Sequence, residues 1–177
     1  MSRADAKILL LGSMPGVRSL QQAQYYAHDR NAFWPIMATL FGAELDLPYA
    51  ERLCILQVQG IALWDVLRCC ERVGSLDSDI AEASIVANDF ADFFVQHPDI
   101  GWVFFNGAKA EAAYKKYVLP TLTGNVAGLR YVRLPSTSPA HAGLTFSQKL
   151  ERWKVVKDAV QTHSLVRRNF VFSALLS

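Results

Sequence analysis

Asn31 stands in the most unusual stretch of the chain, Gln24-Tyr25-Tyr26-Ala27-His28-Asp29-Arg30-Asn31-Ala32-Phe33-Trp34. Here aromatic rings sit beside amide, imidazole and guanidinium groups. A planar heterocycle binds on an aromatic face, and an amide both donates and accepts hydrogen bonds or holds a water. On these grounds Asn31 fits two roles: the N-cap of the helix that follows, or a polar group turned to a ligand. Two other stretches are dense in Gly, Pro and Ser. Gly12-Ser13-Met14-Pro15-Gly16 allows a tight turn in which backbone comes close to a ligand. Pro135-Ser136-Thr137-Ser138-Pro139-Ala140-His141 offers three hydroxyls and an imidazole on a short loop. Small hydroxyl side chains and free backbone amides can follow a phosphate chain closely, and they also build ordinary polar turns.

Several chemistries are excluded by what is missing. Gly12 to Gly16 is not followed by Gly-Lys-Ser/Thr, so it is no phosphate-cradling P-loop. Ser13 directly follows Gly12, which breaks the nucleophile-elbow spacing and counts against a serine hydrolase using Ser13 or Ser136. Cys54, Cys69 and Cys70 cannot form an even disulfide framework and have no paired C-x-x-C spacing, so no metal set is expected. They read as buried free thiols. Asp65 and Asn106 each end an apolar run; either could face a site, and either could cap a helix or hold an ion-pair partner.

The elements that must position these residues follow from periodicity. Lys7–Ser13, Ile61–Leu67, Gly101–Asn106 and Arg130–Leu134 are short apolar runs that fit strands. Between them, Phe33, Ile36, Met37, Leu40 and Phe41 fall on one helical face, and Ala108–Val118 is a second helical stretch. Leu150, Trp153, Val156 and Val160 form a stripe with Lys149, Arg152, Lys154 and Lys157 around it, and Asn88 suits the N-cap of a helix running towards His97. Strands alternating with helices predict an α/β fold: a three-layer α/β/α domain with a short, mostly parallel four-stranded central sheet. No repeat or linker divides residues 1–177, which read as a single domain. In such folds the working site lies beyond the C-terminal ends of the strands. That rule selects the Gly12 loop, the Asp65 region, Asn106-Gly107 and the Pro135 loop.

With 51% hydrophobic and 19% charged residues the composition is globular, not disordered. The longest apolar runs are too short to span a bilayer and no signal-peptide pattern opens the chain, so the expected location is cytoplasmic, with no membrane partner. Charge is unevenly spread. Residues 101–177 hold eleven Lys and Arg against three Asp and Glu, a surface suited to phosphates or simply a solvated basic face.

The three polar stretches taken together resemble the uracil-DNA glycosylase superfamily, closest to its hypoxanthine-DNA (deoxyinosine) glycosylase branch. The middle strand Gly60–Val66 and Gly74-Ser75-Leu76-Asp77 share the likeness, which runs over roughly residues 7–160. The resemblance implies a monofunctional enzyme without cofactor or metal. It would flip a deaminated base, hypoxanthine or uracil, out of double- or single-stranded DNA, cut the C1′–N bond and leave an abasic site, acting as a monomer. It implies that Gly12, Ser13 and Met14, with Asp65, line the base pocket and that Tyr26 stacks on the flipped base. It further implies that the loop through Ser136, Thr137 and Ser138 to Ala140 grips the backbone and fills the gap in the duplex. His141, just beyond it, is a separate candidate to touch DNA or to donate to the leaving base, or is simply exposed. One departure matters. Many superfamily members carry Asn or Asp where this chain has Met14, and a thioether cannot place water, so the resemblance moves the catalytic role to Asn31. The alternative is a catalytically silent DNA- or nucleotide-binding module on the same fold.

Overall fold

The computed structural model describes residues 1–71, 80–122 and 128–174, with side chains up to residue 162. Gly74-Ser75-Leu76-Asp77 lies outside the described residues. The four apolar runs become β1 (Ile8–Gly12), β2 (Ile61–Asp65), β5 (Trp102–Asn106) and β6 (Arg130–Leu134). They form one sheet in the order β2-β1-β5-β6, every pairing parallel. β1 is central and buried along its whole length, as expected of a strand covered on both faces. A short antiparallel ribbon, β3 (Leu67–Cys69) with β4 (Val86–Ala87), was not anticipated. It begins where Val66 N–H and Leu67 N–H turn to donate to the carbonyls of Gly12 and Ser13, cutting the Ile61–Leu67 run at Asp65.

Helices cover both faces. Ile8, Leu10, Leu63 and Phe104 point into a core closed by α2 (Phe33–Phe41), α3 (Tyr49–Val58) and the first half of α6 (Phe146–Ala174). The alternate residues Leu9, Leu11, Val103 and Phe105 point into a second core against α4 (Phe90–Gln96) and α5 (Ala108–Ala113). This period-two alternation makes the three layers. A short helix, α1 (Val17–Gln22), follows the Gly12 loop and buries none of its residues. Among the described residues no helix is long and apolar enough to cross a membrane.

Four local expectations are corrected. The cap of α4 is Asp89, whose carboxylate accepts from Asp92 N–H at 3.0 Å; Asn88 instead donates to the Asp65 carbonyl at 2.8 Å. The Ala108–Val118 helix changes at Tyr114 into a π-helical turn, Tyr114–Val118, which places the Tyr114 ring in the core. Lys149, expected on the outer face of α6, is buried. The cysteines are not buried thiols: Cys54 and Cys69 are exposed and Cys70 is half-buried, because they fall on outward positions of α3 and of the β3 ribbon.

Candidate functional site

β1 and β5 are neighbours, and their connections leave the sheet in different directions, so a crevice opens at their C-terminal ends. It is a cleft of about 440 Å³, lined from every stretch singled out above. Gly12, Ser13, Met14, Tyr26, Asn31, Asp65, Ser136, Thr137 and Ser138 all face it, as do His28 and Asn106. His141 is exposed and does not line it.

The floor is set by register. Gly12 pairs with Asp65 across β1 and β2, and Asp65 is 8% exposed. A Cβ on Gly12 would lie 2.3 Å from the Asp65 carboxylate and 3.1 Å from the Tyr26 hydroxyl. Glycine is therefore what lets a carboxylate and a phenol share the space over the end of β1. Asn88 steadies this point from behind, through its side chain to the Asp65 carbonyl.

The aromatic wall is held in an unusual conformation. Tyr26 has φ of 55°, a left-handed backbone that bulky residues rarely adopt and that persists only where surroundings enforce it. The enforcement is visible on both sides. Trp34 Nε1 donates to the Tyr25 carbonyl at 2.8 Å, Tyr25 N–H donates to the Tyr49 hydroxyl at 2.9 Å, and Ala27 N–H donates to Ser19 Oγ at 3.2 Å. The Tyr26 ring stacks on Phe33 with centroids 4.0 Å apart and planes 24° apart. Phe33 thus backs one face of Tyr26 in the core. The neighbouring Tyr25 hydroxyl is kept protonated: burial raises its pKa, and the charges of Asp65 and Tyr49 push the same way.

Asn31 lines the cleft and also ties down the start of α2. Its Oδ1 accepts from Phe33 N–H at 3.0 Å, which ties it to the start of α2. Ala32, not Asn31, is the residue that flanks the first helical turn. With its oxygen bonded to the start of α2, Asn31 lines the cleft and has an amide nitrogen available to donate. His28 is held alongside, its Nδ1 accepting from Arg30 N–H at 3.1 Å and its carbonyl accepting from Asn31 N–H at 2.7 Å.

The loop after β6 is anchored at four points. Trp153 Nε1 donates to the Pro135 carbonyl at 3.0 Å. Thr137 exchanges two hydrogen bonds with Asn106, and its carbonyl accepts from Ala32 N–H at 3.0 Å. Lys149 Nζ donates to the His141 carbonyl at 2.8 Å. Thr137 is 1% exposed, so its side chain positions the loop rather than facing solvent. Ser136 Oγ accepts from Ser138 N–H at 3.2 Å and Ser138 Oγ from Ala140 N–H at 3.3 Å. The turn therefore engages the serine oxygens as acceptors, and each hydroxyl keeps a hydrogen it can donate. Gly107, at φ 97°, lets the end of β5 pass beneath Ser136, where a Cβ would come within 2.9 Å.

Asn106 and Lys149 are the supports that sequence reasoning weighed least. A polar residue closing an apolar strand was a visible signal for Asn106. Nothing in the helical stripe distinguished Lys149 from its exposed neighbours. Among the described residues no group of three or more His, Cys, Asp or Glu side chains could hold a metal ion.

Comparison with known proteins gives four likenesses. The family model of the uracil DNA glycosylase superfamily matches residues 1–159. A hypoxanthine DNA glycosylase of Methanosarcina acetivorans is 35% identical over 153 residues, covering 86% of this chain and 90% of that protein. Its counterpart from Methanosarcina barkeri is 36% identical over 107 residues, 60% of this chain and 66% of the relative. A solution NMR structure of a candidate uracil DNA glycosylase from Methanosarcina acetivorans superposes with a TM-score of 0.72 at 33% identity, covering 90% and 93% of the two chains.

Proposed function

The chain belongs to the uracil DNA glycosylase superfamily, and from that premise we propose that it removes deaminated bases, hypoxanthine and uracil, from DNA. The observation that carries the reading is the convergence of Asp65, Tyr26 and the Asn31 amide on one cleft whose far wall is the Ser136–Ser138 loop. Its volume falls in the range of roughly 300–1,000 Å³ typical of pockets that enclose one small ligand. That is room for a single extrahelical nucleoside.

Each residue has a role set by its chemistry. Deamination replaces an acceptor ring nitrogen and its neighbouring amino group by a ring N–H and a carbonyl. A carboxylate oxygen of Asp65 accepts from such an N–H and disfavours the lone pair of the undamaged base. Tyr26 stacks on the base, with Phe33 holding its ring from behind. Water adds to C1′ as the C1′–N bond breaks, the bonding electron pair leaves with the base, and the proton that water loses ends on the released base nitrogen. The Asn31 amide nitrogen donates to that base as negative charge gathers on it, a preorganised stabilisation of the departing group. Ser136, Ser138 and the amides of the loop grip the backbone on either side, with the basic C-terminal part supplying longer-range attraction.

The test is direct. Oligonucleotides bearing hypoxanthine or uracil, single-stranded and in duplex, are incubated with the protein and then treated with alkali. Strand scission at the lesion is expected. Binding to lesion DNA without scission on any substrate would instead support the silent binding module, the reading that Met14 favours.

A further inference from the structure

Beside the cleft lies a second cavity of about 290 Å³, against about 440 Å³ for the cleft itself. The two meet at Ser13, which lines both and whose carbonyl accepts from Leu67 N–H at 3.0 Å. Ser13 follows β1, Leu67 stands just past β2, and Lys109 just past β5. The second cavity therefore opens at the same end of the sheet as the cleft, on the face that α5 covers. Its base is apolar. Leu67 is buried, Ile80 and Ile85 are half-buried against the second core, and the small side chain of exposed Ala112 leaves the space open.

The rim is polar and held in place. Tyr117 Oη donates to the Glu82 carboxylate at 2.9 Å and Lys116 pairs with the same group, joining the π-helical turn to the turn at Glu82–Ser84. Behind that turn, Ser84 Oγ donates to the Ala81 carbonyl at 2.6 Å and accepts from Glu71 N–H at 2.7 Å. The charge of Glu82 is thus matched within the wall. Lys109 is different: it is exposed, and among the described residues its ammonium forms no ion pair or hydrogen bond. A hollow with an apolar base, a tyrosine at its edge and a lysine at its rim suits a flat group joined to an anion. A nucleotide has that composition, since bases settle on apolar and aromatic surface and phosphates meet lysine. Resting on the glycosylase reading, we propose that this cavity is a subsite for the base of the nucleotide next to the lesion, with the phosphate between them passing Ser13 towards Lys109. A paired base stays in its stack, so the subsite serves single-stranded DNA.

The test removes one neighbouring base at a time. Affinity is measured for single-stranded oligonucleotides carrying 2′-fluoro-deoxyinosine, whose glycosidic bond resists cleavage. Both neighbours are intact, or the 5′ or the 3′ neighbour is a tetrahydrofuran residue that keeps its phosphates and lacks a base. Wild type should lose affinity on the order of ten-fold for one of the two replacements and little for the other, because the cavity lies on one side of the cleft. Ala112→Phe fills the cavity from an exposed position. It should bind the intact strand as weakly as wild type binds the poorer substrate, and should be indifferent to either replacement. Ala112→Leu carries the same comparison if the phenylalanine disturbs folding in a thermal melt. Lys109→Gln should reduce the slope of log affinity against log salt by about 0.7, and Lys109→Arg should restore it. Wild type indifferent to both neighbours overturns the proposal, and so does a filled cavity that keeps the one-sided preference. Failure of the glycosylase reading looks different: wild type then leaves ordinary hypoxanthine and uracil strands intact. The neighbour comparison reads binding alone and is decided separately.

Discussion

Asn106 and Thr137 hold each other by two reciprocal hydrogen bonds of 2.8 Å, amide nitrogen to hydroxyl oxygen and backbone N–H to amide oxygen. The pair joins the end of β5 to the loop after β6, and the Thr137 carbonyl passes the connection to Ala32, beside Asn31. Asn106→Ala leaves a buried N–H and hydroxyl without partners, so stability should fall by about 1–3 kcal/mol and excision should fall with it. Asn106→Asp still accepts from Thr137 N–H, and the threonine hydroxyl can turn to donate to the new carboxylate. It should recover most of both losses. Denaturant unfolding and single-turnover rates of the two variants check this; equal damage from Ala and Asp would contradict the pairing argument.

Asn31 is tested by the choice between its two amide ends. Asn31→Ala should slow excision by roughly 10²–10³, the usual loss for one preorganised polar group. Asn31→Asp keeps the acceptor for Phe33 N–H but replaces the donor by an anion facing a base that is gaining negative charge. It should be as poor as Ala at neutral pH, and should improve as the pH falls and the carboxyl gains a proton. An Asp variant as fast as wild type at neutral pH would show that Asn31 orients water instead.

Tyr26 should tolerate the loss of its hydroxyl better than the loss of its ring. Tyr26→Phe keeps the stack on Phe33 and should stay within a few-fold of wild type, while Tyr26→Ala should weaken the flipped-base complex by roughly 1–3 kcal/mol. Affinity for DNA carrying a non-hydrolysable nucleoside analogue separates the two. Equal loss in both variants would place the function in the hydroxyl near Asp65.

Lys149 exchanges stability for loop position. Burial lowers its pKa, so the folded protein bears a penalty for the charge that the unfolded chain does not. That penalty is present in full below the folded pKa and disappears as pH rises towards the unfolded value of about 10.4. Wild type should therefore gain stability relative to Lys149→Met between pH 7 and 10, while the variant, with the His141 carbonyl released, cuts duplex DNA more slowly. Unfolding curves at the two pH values carry the test; a stability difference independent of pH counts against a buried ammonium.

DNA affinity should fall as salt rises, because contacts with phosphates release counterions. Ser138→Asp places an anion on the loop that lines the cleft, and should impair duplex cleavage without unfolding the domain. A salt titration of binding, run beside a thermal melt of the variant, distinguishes this from a folding defect. Flat salt dependence and normal cleavage would mean that another face meets the backbone.

The sheet and the placement of the site were legible because both rest on short-range patterns. β1, β2, β5 and β6 were apolar runs ended by polar or glycine residues, and the switch-point rule then gathered Gly12, Asp65, Asn106 and Ser136 without any contact being known. What the sequence concealed depends on tertiary surroundings. The left-handed Tyr26 is enforced by Trp34 and Tyr49, which lie eight and 23 positions further on. Lys149 is buried because the His141 carbonyl arrives from a loop, a partner no helical period reveals. The π turn at Tyr114 and the exposed cysteines follow from packing geometry that composition does not encode.

The groups around the cleft are drawn from positions 12, 26, 31, 65, 106 and 137, and they meet only at the ends of paired strands. This has a consequence for when the protein becomes active during its own synthesis. Until β6 has left the ribosome and paired with β5, Asn106 has no Thr137 to hold, and Ala32 has no carbonyl to meet. A nascent chain or a proteolytic fragment ending before residue 130 can have the aromatic wall and the Asp65 floor, yet the wall built by Ser136–Ser138 is still missing. Under the proposed function, competence then arrives late, with the last strand.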